Sequence, residues 1–146
     1  MKFKSTKVIE LGSTCFRQPT ATSHCRFLHG YHLTAKFYFI RLTEKKLDNN
    51  NWVVDFGGLK ELKKELRNIF DHKTIISRKD PELQIFKDLH TRGLIQLVIL
   101  NEVSLERFAE HCLETALDYI PESTGCYKVE VFEHSKNSAI YELGGK

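Results

Sequence analysis

The sequence has little proline and glycine, few cysteines and no long apolar run. Its 146 residues include 3 Pro and 8 Gly, against 41% hydrophobic and 28% charged residues, which excludes disordered, collagen-like and low-complexity chains. No stretch has the length and apolarity of a membrane span, and the first residues lack the apolar segment of a signal peptide. We therefore expect a single cytoplasmic globular domain over residues 1–146.

The charge balance and the cysteines limit which partners and which cysteine chemistry we expect for this chain. A net charge of +3 is too small to predict a nucleic-acid partner, although it agrees with a phosphorylated small ligand. The four cysteines are too few and too irregularly spaced for a disulfide framework. A functional cysteine in this chain is therefore expected to be a nucleophile, a base or a metal ligand.

Apolar periodicity predicts an α+β fold, an antiparallel four-stranded sheet with helices on one face. The alternating segments that predict strands are 8–11, 32–41, 127–134 and 139–142. A turn at 48–51 predicts that 52–56 pairs with 32–41 as a long hairpin.

Helical spacing of apolar residues predicts two amphipathic helices. The first runs from Leu59 to Phe70 with Asp55 as its N-cap, and the second follows Ser104 and ends before Pro121. Between them we expect a short helix starting at Pro81 and a strand over 94–100.

Three of the seven histidines and one cysteine lie within nine residues, at His24, Cys25, His29 and His32. Imidazole and thiolate are ligands suited to zinc, so this segment is a candidate metal site. Spacing alone also permits a histidine-rich loop without a metal, because no Cys-x-x-Cys pair is present.

Two further positions carry candidate chemistry. Asp71 and His72 follow the first helix, where a carboxylate beside an imidazole can support proton transfer or can simply end a helix at the surface. Glu133 shares the even spacing of Val129 and Val131, so we expect it on their face with a ligand or another partner. A strand-end residue turning into solvent is the alternative.

These segments together resemble the 6-pyruvoyl-tetrahydropterin synthase and 6-carboxytetrahydropterin synthase family. Residues 25–30 (CRFLHG) are similar to its Cys-x-x-x-His-Gly-His motif, and 52–60 to its entry into the first helix. Residues 71–73 match its Asp-His-Lys, and 131–133 match the strand that ends in its pterin-binding glutamate.

The resemblance implies a tunnelling fold whose barrel forms by oligomerisation, as a trimer or a homohexamer. It implies a lyase acting on 7,8-dihydroneopterin triphosphate, with Cys25, Asp71 and His72 as catalytic residues and Glu133 binding the pterin. It also implies a Zn²⁺ cofactor held by three histidines, for which we expect His29, His24 and His32, with Cys15 as a possible substitute.

The sequence departs from the family motif at the metal. Where the family has His-Gly-His, this chain has His29-Gly30-Tyr31, and its next histidine is displaced by one position to His32. The segment 81–100 is longer than in compact members, and it either covers the site or thickens a subunit interface.

The leading functional hypothesis is a zinc-dependent 6-carboxytetrahydropterin synthase of queuosine (7-deazaguanine) biosynthesis. One alternative is a 6-pyruvoyl-tetrahydropterin synthase. Another is a non-catalytic member that binds a pterin or purine and has a degenerate metal site. No nucleic-acid or membrane partner is expected.

Overall fold

The computed structural model describes residues 2–144 and contains six strands and three α-helices. The strands are β1 (Ser5–Phe16), β2 (His29–Arg41), β3 (Lys73–Ser77), β4 (Leu97–Leu100), β5 (Thr124–His134) and β6 (Asn137–Glu142). The helices are α1 (Lys60–Phe70), α2 (Leu83–Thr91) and α3 (Leu105–Leu117), with 3-10 turns at His24–Arg26 and Phe56–Leu59. Among these residues no helix is long and apolar enough to span a membrane.

The strands form one mixed sheet in the order β4-β3-β1-β2-β5-β6. β2 runs antiparallel to β1 and β5, and β6 antiparallel to β5, whereas β3 is parallel to both β1 and β4. The α+β class is therefore confirmed, but the expectation of an antiparallel four-stranded sheet was wrong. β3 escaped prediction because Thr74–Ser77 is buried throughout, and a short strand covered on both faces shows no alternation.

The predicted hairpin between 32–41 and 52–56 was also wrong. Both edges of β2 are already paired, one with β1 and the other with β5. The segment after the turn instead inserts Val53 and Val54 into the core. Asp48 closes the turn, since its Oδ1 accepts hydrogen bonds from the N–H groups of Asn50 and Trp52 at 2.8 and 2.9 Å.

The two amphipathic helices begin close to the predicted positions. Asp55 Oδ1 accepts a 2.9 Å hydrogen bond from Gly57 N–H and caps the 3-10 turn that leads into α1. Ser104 Oγ accepts from Arg107 N–H at 3.0 Å and caps α3. Both helices bury their apolar stripes in the core formed with β1, β2 and β5.

α2 packs on the other face of the sheet. Ile75 belongs to the core beneath α1 and α3. Ile76 is fully buried but lies outside that core, and Phe86 of α2 is also buried outside it. Because neighbouring strand residues point to opposite faces, Ile76 and Phe86 lie on the face away from α1 and α3. The expectation that the helices share one face therefore holds for α1 and α3 only.

Candidate functional site

A bulge in β1 makes room for the carboxylate of Asp71. The pairing of β1 with β2 shifts register between Glu10 and Gly12. Gly12 has a φ of +108°, and a Cβ at this position would overlap the Asp71 carboxylate. Glycine is required here because the backbone has a positive φ and because the Asp71 carboxylate leaves no room for a Cβ. The N–H of the next residue, Ser13, donates to Asp71 Oδ1 at 3.1 Å.

Asp71 is in contact with His72 where α1 ends. Its Oδ1 lies 3.0 Å from His72 Nδ1, and its Oδ2 accepts from Arg67 Nη2 at 2.8 Å. Burial favours a higher pKa for Asp71, but the Ser13 N–H and the charges of Arg67 and His72 outweigh burial and hold the pKa below its ordinary value. Asp71 is therefore ionised at neutral pH and orients an imidazole whose side chain is 81% exposed.

His72 borders a cleft of about 400 Å³ that is also lined by Cys15 and His32. Cys15 and His32 are neighbours of Phe16 and Leu33, which are buried in the core. Alternation therefore places Cys15 and His32 on the sheet face away from α1 and α3.

Cys25 lies in the 3-10 turn His24–Arg26, in the connection between β1 and β2. Two backbone acceptors of this turn are tied to the residues that follow β1. Gln18 N–H donates to the Cys25 carbonyl at 2.9 Å, and Arg17 Nη1 donates to the Arg26 carbonyl at 3.1 Å. The Cys25 side chain is half-buried, so the turn holds a thiol that remains partly accessible.

The rings of Phe16, His29 and Tyr31 pack together at the paired ends of β1 and β2. The His29 ring centroid lies 4.7 Å from that of Phe16 and 5.7 Å from that of Tyr31. Phe16 also meets Phe108 of α3 edge-on at 5.1 Å, which joins the three rings to the core.

Tyr31 brings Cys25 and Glu133 into the same neighbourhood. Burial raises the pKa of Tyr31, and the negative charges of Glu133 and of the Cys25 thiolate raise it further. The Glu133 side chain is 20% exposed and accepts a 3.0 Å hydrogen bond from Asn137 Nδ2. The ring of His134, the neighbour of Glu133 in β5, lies 6.2 Å from the Tyr31 ring, and we call Cys25, His29, Tyr31 and Glu133 together the tyrosine site.

The three histidines expected to bind zinc do not come together. His24 is exposed, and His32 lies on the opposite face of β2 from His29, with its Nε2 4.0 Å from Glu10 Oε2. The displacement of one residue reverses the side-chain face in a strand. Between residues 2 and 144, no three His, Cys, Asp or Glu side chains are arranged to hold a metal ion. The residues present therefore do not fit a zinc ion held by three histidines.

Two sets of contacts are not evident from the sequence. Arg17 Nε and Nη2 each donate to the Asp80 carboxylate at 2.8 Å, and Phe16 contacts the rings of His29 and Phe108. For the ring contacts, a signal was the motif position of Tyr31, where the family has histidine.

A family model described as 6-pyruvoyl tetrahydropterin synthase matches residues 8–144. A search of curated proteins finds no match.

Solved structures share the fold at low sequence identity. Protein WS1659 from Wolinella succinogenes, described as uncharacterized, is 20% identical with a TM-score of 0.82, over 97% of this chain and 98% of that one. The 6-pyruvoyl tetrahydropterin synthase of Caenorhabditis elegans is 19% identical with a TM-score of 0.67, over 97% and 96%. That of Plasmodium falciparum is 15% identical with a TM-score of 0.60, over 94% and 96%.

Proposed function

The chain belongs to the 6-pyruvoyl tetrahydropterin synthase family, and we propose that it converts 7,8-dihydroneopterin triphosphate into 6-carboxytetrahydropterin. Membership supports the coarser statement directly, that this is a pterin-processing enzyme of lyase type. The observation that carries the proposal is the tyrosine site, where the half-buried Glu133 precedes His134, whose ring lies 6.2 Å from that of Tyr31.

Glu133 is the residue proposed to bind the pterin ring. A carboxylate can accept two parallel N–H bonds, which the amino group and adjacent ring nitrogen of a pterin supply. Asn137 donates to one carboxylate oxygen and keeps the group oriented. Since a carboxylate has several acceptor positions and Asn137 uses one of them, the Glu133 carboxylate can still accept from a ligand with paired N–H groups.

Cys25 is proposed to move a proton at the side-chain carbons of the substrate. It lies in a turn held by backbone hydrogen bonds, so the thiol has a defined position. A thiolate is an effective base near neutral pH when the proton it removes is next to polarised oxygens. No step is assigned to zinc, because within residues 2–144 no three His, Cys, Asp or Glu side chains are arranged to hold a metal ion.

Asp71 and His72 are proposed to serve a site shared between subunits. His72 borders the cleft on the sheet face away from α1 and α3, whereas the rings of the tyrosine site pack against α3. β4 and β6 are the edge strands of the sheet, and exposed edges favour pairing with another copy. A homo-oligomer, trimer or hexamer, would bring His72 of one subunit to Cys25 of another.

A second candidate function is binding of a pterin or purine without turnover. The poor fit to a three-histidine metal centre favours this candidate over the enzymes that depend on one. Retention of both Cys25 and Glu133 favours catalysis, because binding alone does not need a thiol base.

Incubation of the purified protein with 7,8-dihydroneopterin triphosphate separates these functions. The proposed enzyme takes up one water, releases triphosphate and a two-carbon aldehyde, and leaves a product with one side-chain carbon, detected by mass spectrometry, whereas a pyruvoyl product keeps all three. Saturable binding without turnover would support the second candidate. Neither binding nor turnover would contradict both, and Cys25→Ala is the control for contaminating activity.

A further inference from the structure

The rings beside His29 leave it as a single nitrogen ligand. Phe16 is 2% exposed and packs between His29 and Phe108, and its hydrocarbon ring has no atom that can bind a metal. Tyr31 carries a phenol, whose hydroxyl ordinarily keeps its proton at neutral pH and is then a much weaker metal ligand than an imidazole. The three rings of Phe16, His29 and Tyr31 therefore do not form a zinc site.

The tautomer of His29 follows from one contact. Its Nδ1 lies 2.7 Å from the carbonyl oxygen of Phe27, and a carbonyl oxygen only accepts. Nδ1 therefore carries the proton and donates, which leaves Nε2 of the neutral ring as an acceptor.

Tyr31 supplies a hydrogen-bond donor next to the acceptor nitrogen of His29. Its protonated hydroxyl is a hydrogen-bond donor, and its ring meets the His29 ring at 81° with the centroids 5.7 Å apart. A donor beside an acceptor matches an alcohol, which both donates and accepts. Glu133, near Tyr31, is acceptor-only and suits the N–H groups of a heterocycle instead.

We infer that His29 and Tyr31 bind the hydroxyl groups of the ligand's side chain by direct hydrogen bonds, without a metal ion. This inference rests on the proposed pterin function. It adds that His29 and Tyr31 contact the hydroxylated side chain of the ligand. Glu133 recognises the ring, and the His29–Tyr31 pair distinguishes a hydroxylated side chain from an alkyl one.

Calorimetry with two stable pterins tests this assignment. Neopterin carries a trihydroxypropyl side chain, whereas 6-methylpterin has the same ring without hydroxyls. Tyr31→Phe should weaken neopterin binding about tenfold, the scale of one lost hydrogen bond, and leave 6-methylpterin binding unchanged. Glu133→Gln should weaken the binding of both pterins.

The outcomes separate the inference from the function on which it rests. Failure of the wild-type protein to bind either pterin would overturn the proposed function. Binding of both pterins with no effect of Tyr31→Phe on neopterin, or with equal losses for both ligands, would overturn the inference alone.

Metal analysis provides a test that needs no pterin. Wild-type protein exposed to zinc and then desalted should retain far less than one zinc per chain. The double variant Phe16→His/Tyr31→His places imidazoles on both sides of His29 and should retain about one. Zinc bound stoichiometrically by the wild type and lost in His29→Ala would overturn the inference, as would a double variant that binds no more zinc than the wild type.

Discussion

Arg17 and Asp80 form a two-bonded ion pair that links the end of β1 to the segment before α2. Arg17 Nε and Nη2 each donate to the Asp80 carboxylate at 2.8 Å, and the Asp80 side chain is 0% exposed. The third nitrogen of the same guanidinium donates to the Arg26 carbonyl, next to Cys25. The ion pair therefore also fixes the turn that carries the candidate catalytic thiol.

Replacing Asp80 with asparagine should destabilise the fold by about 3 kcal/mol at neutral pH, because it leaves the Arg17 charge without its partner. Urea unfolding measures this loss. The matched control is Glu102→Gln, which removes the carboxylate of an exposed ion pair with Lys79 and should change stability little. Equal effects of the two substitutions would contradict the structural role of the buried pair.

The contribution of this ion pair should depend on pH. The hydrogen bond from Arg17 lowers the pKa of Asp80 more than burial raises it. Its stabilisation is therefore complete above the unfolded-state pKa of about 4 and is lost as the pH falls through the lower folded-state value. The difference in stability between the wild type and Asp80→Asn should start to shrink below pH ~4 and disappear only below the folded-state pKa of Asp80, and a difference that stays constant with pH would exclude this origin.

Cys25→Ser should lower turnover of dihydroneopterin triphosphate by about a hundredfold or more, because a serine hydroxyl is a much poorer base than a thiolate. Cys126→Ser is the control, since Cys126 is a thiol buried in β5, outside both the turn of Cys25 and the cleft beside His72. Steady-state kinetics with both variants should show the loss for Cys25 alone. Full activity of Cys25→Ser would remove Cys25 from the mechanism.

Thiol labelling gives a check that needs no substrate. Burial raises the pKa of Cys126 to about 11 and also raises that of Cys112, so both should resist alkylation in the folded protein. Mass spectrometry should find Cys25 modified well before either buried cysteine. Rapid modification of Cys112 in folded protein would contradict its place in the core.

Gly12→Ala should destabilise the fold by at least about 1 kcal/mol and disturb the Asp71–His72 contact. The cause is the positive φ of Gly12 together with the overlap between an added Cβ and the Asp71 carboxylate. Thermal unfolding measures the first effect, and the NMR-measured pKa of His72 reports the second. Gly93→Ala is the control, because Gly93 also has a positive φ but open space around it.

Local features of the sequence predicted the structure well. The apolar stripes of α1 and α3 and the caps at Asp55 and Ser104 were recognisable because each is encoded within a few residues. Asp71 and His72 were recognisable as a candidate pair for the same reason, although the sequence left open whether the two side chains contact each other.

Features that join distant segments could not be predicted in this way. Arg17 and Asp80 are 63 positions apart, and no local pattern indicates that one neutralises the other. β3 lies between two parallel neighbours and has no alternating face to reveal it. The ring contacts around His29 depend on which residues of β1 pair with β2, and the bulge at Gly12 changes that register.

Assembly should follow the exposed edges of the sheet. Light scattering should give the mass of a trimer or a dimer of trimers, since β4 and β6 leave both edges open. Mixing Cys25→Ser with His72→Ala subunits should restore part of the activity that each variant lacks. A monomer at micromolar concentration, or no recovery from mixed oligomers, would contradict a site shared between subunits.

The central claim is that Glu133 binds the pterin ring, and calorimetry with neopterin tests it most directly. Glu133→Gln should weaken binding by about 2 to 4 kcal/mol, because one of two favourable N–H contacts becomes a donor facing a donor. Glu130→Gln is the matched control, since Glu130 lies on the same strand and its carboxylate accepts a 2.7 Å hydrogen bond from Ser138. We expect a large loss of affinity for Glu133→Gln and none for Glu130→Gln, and equal affinity of Glu133→Gln and the wild type would contradict a role of Glu133 in binding the ring.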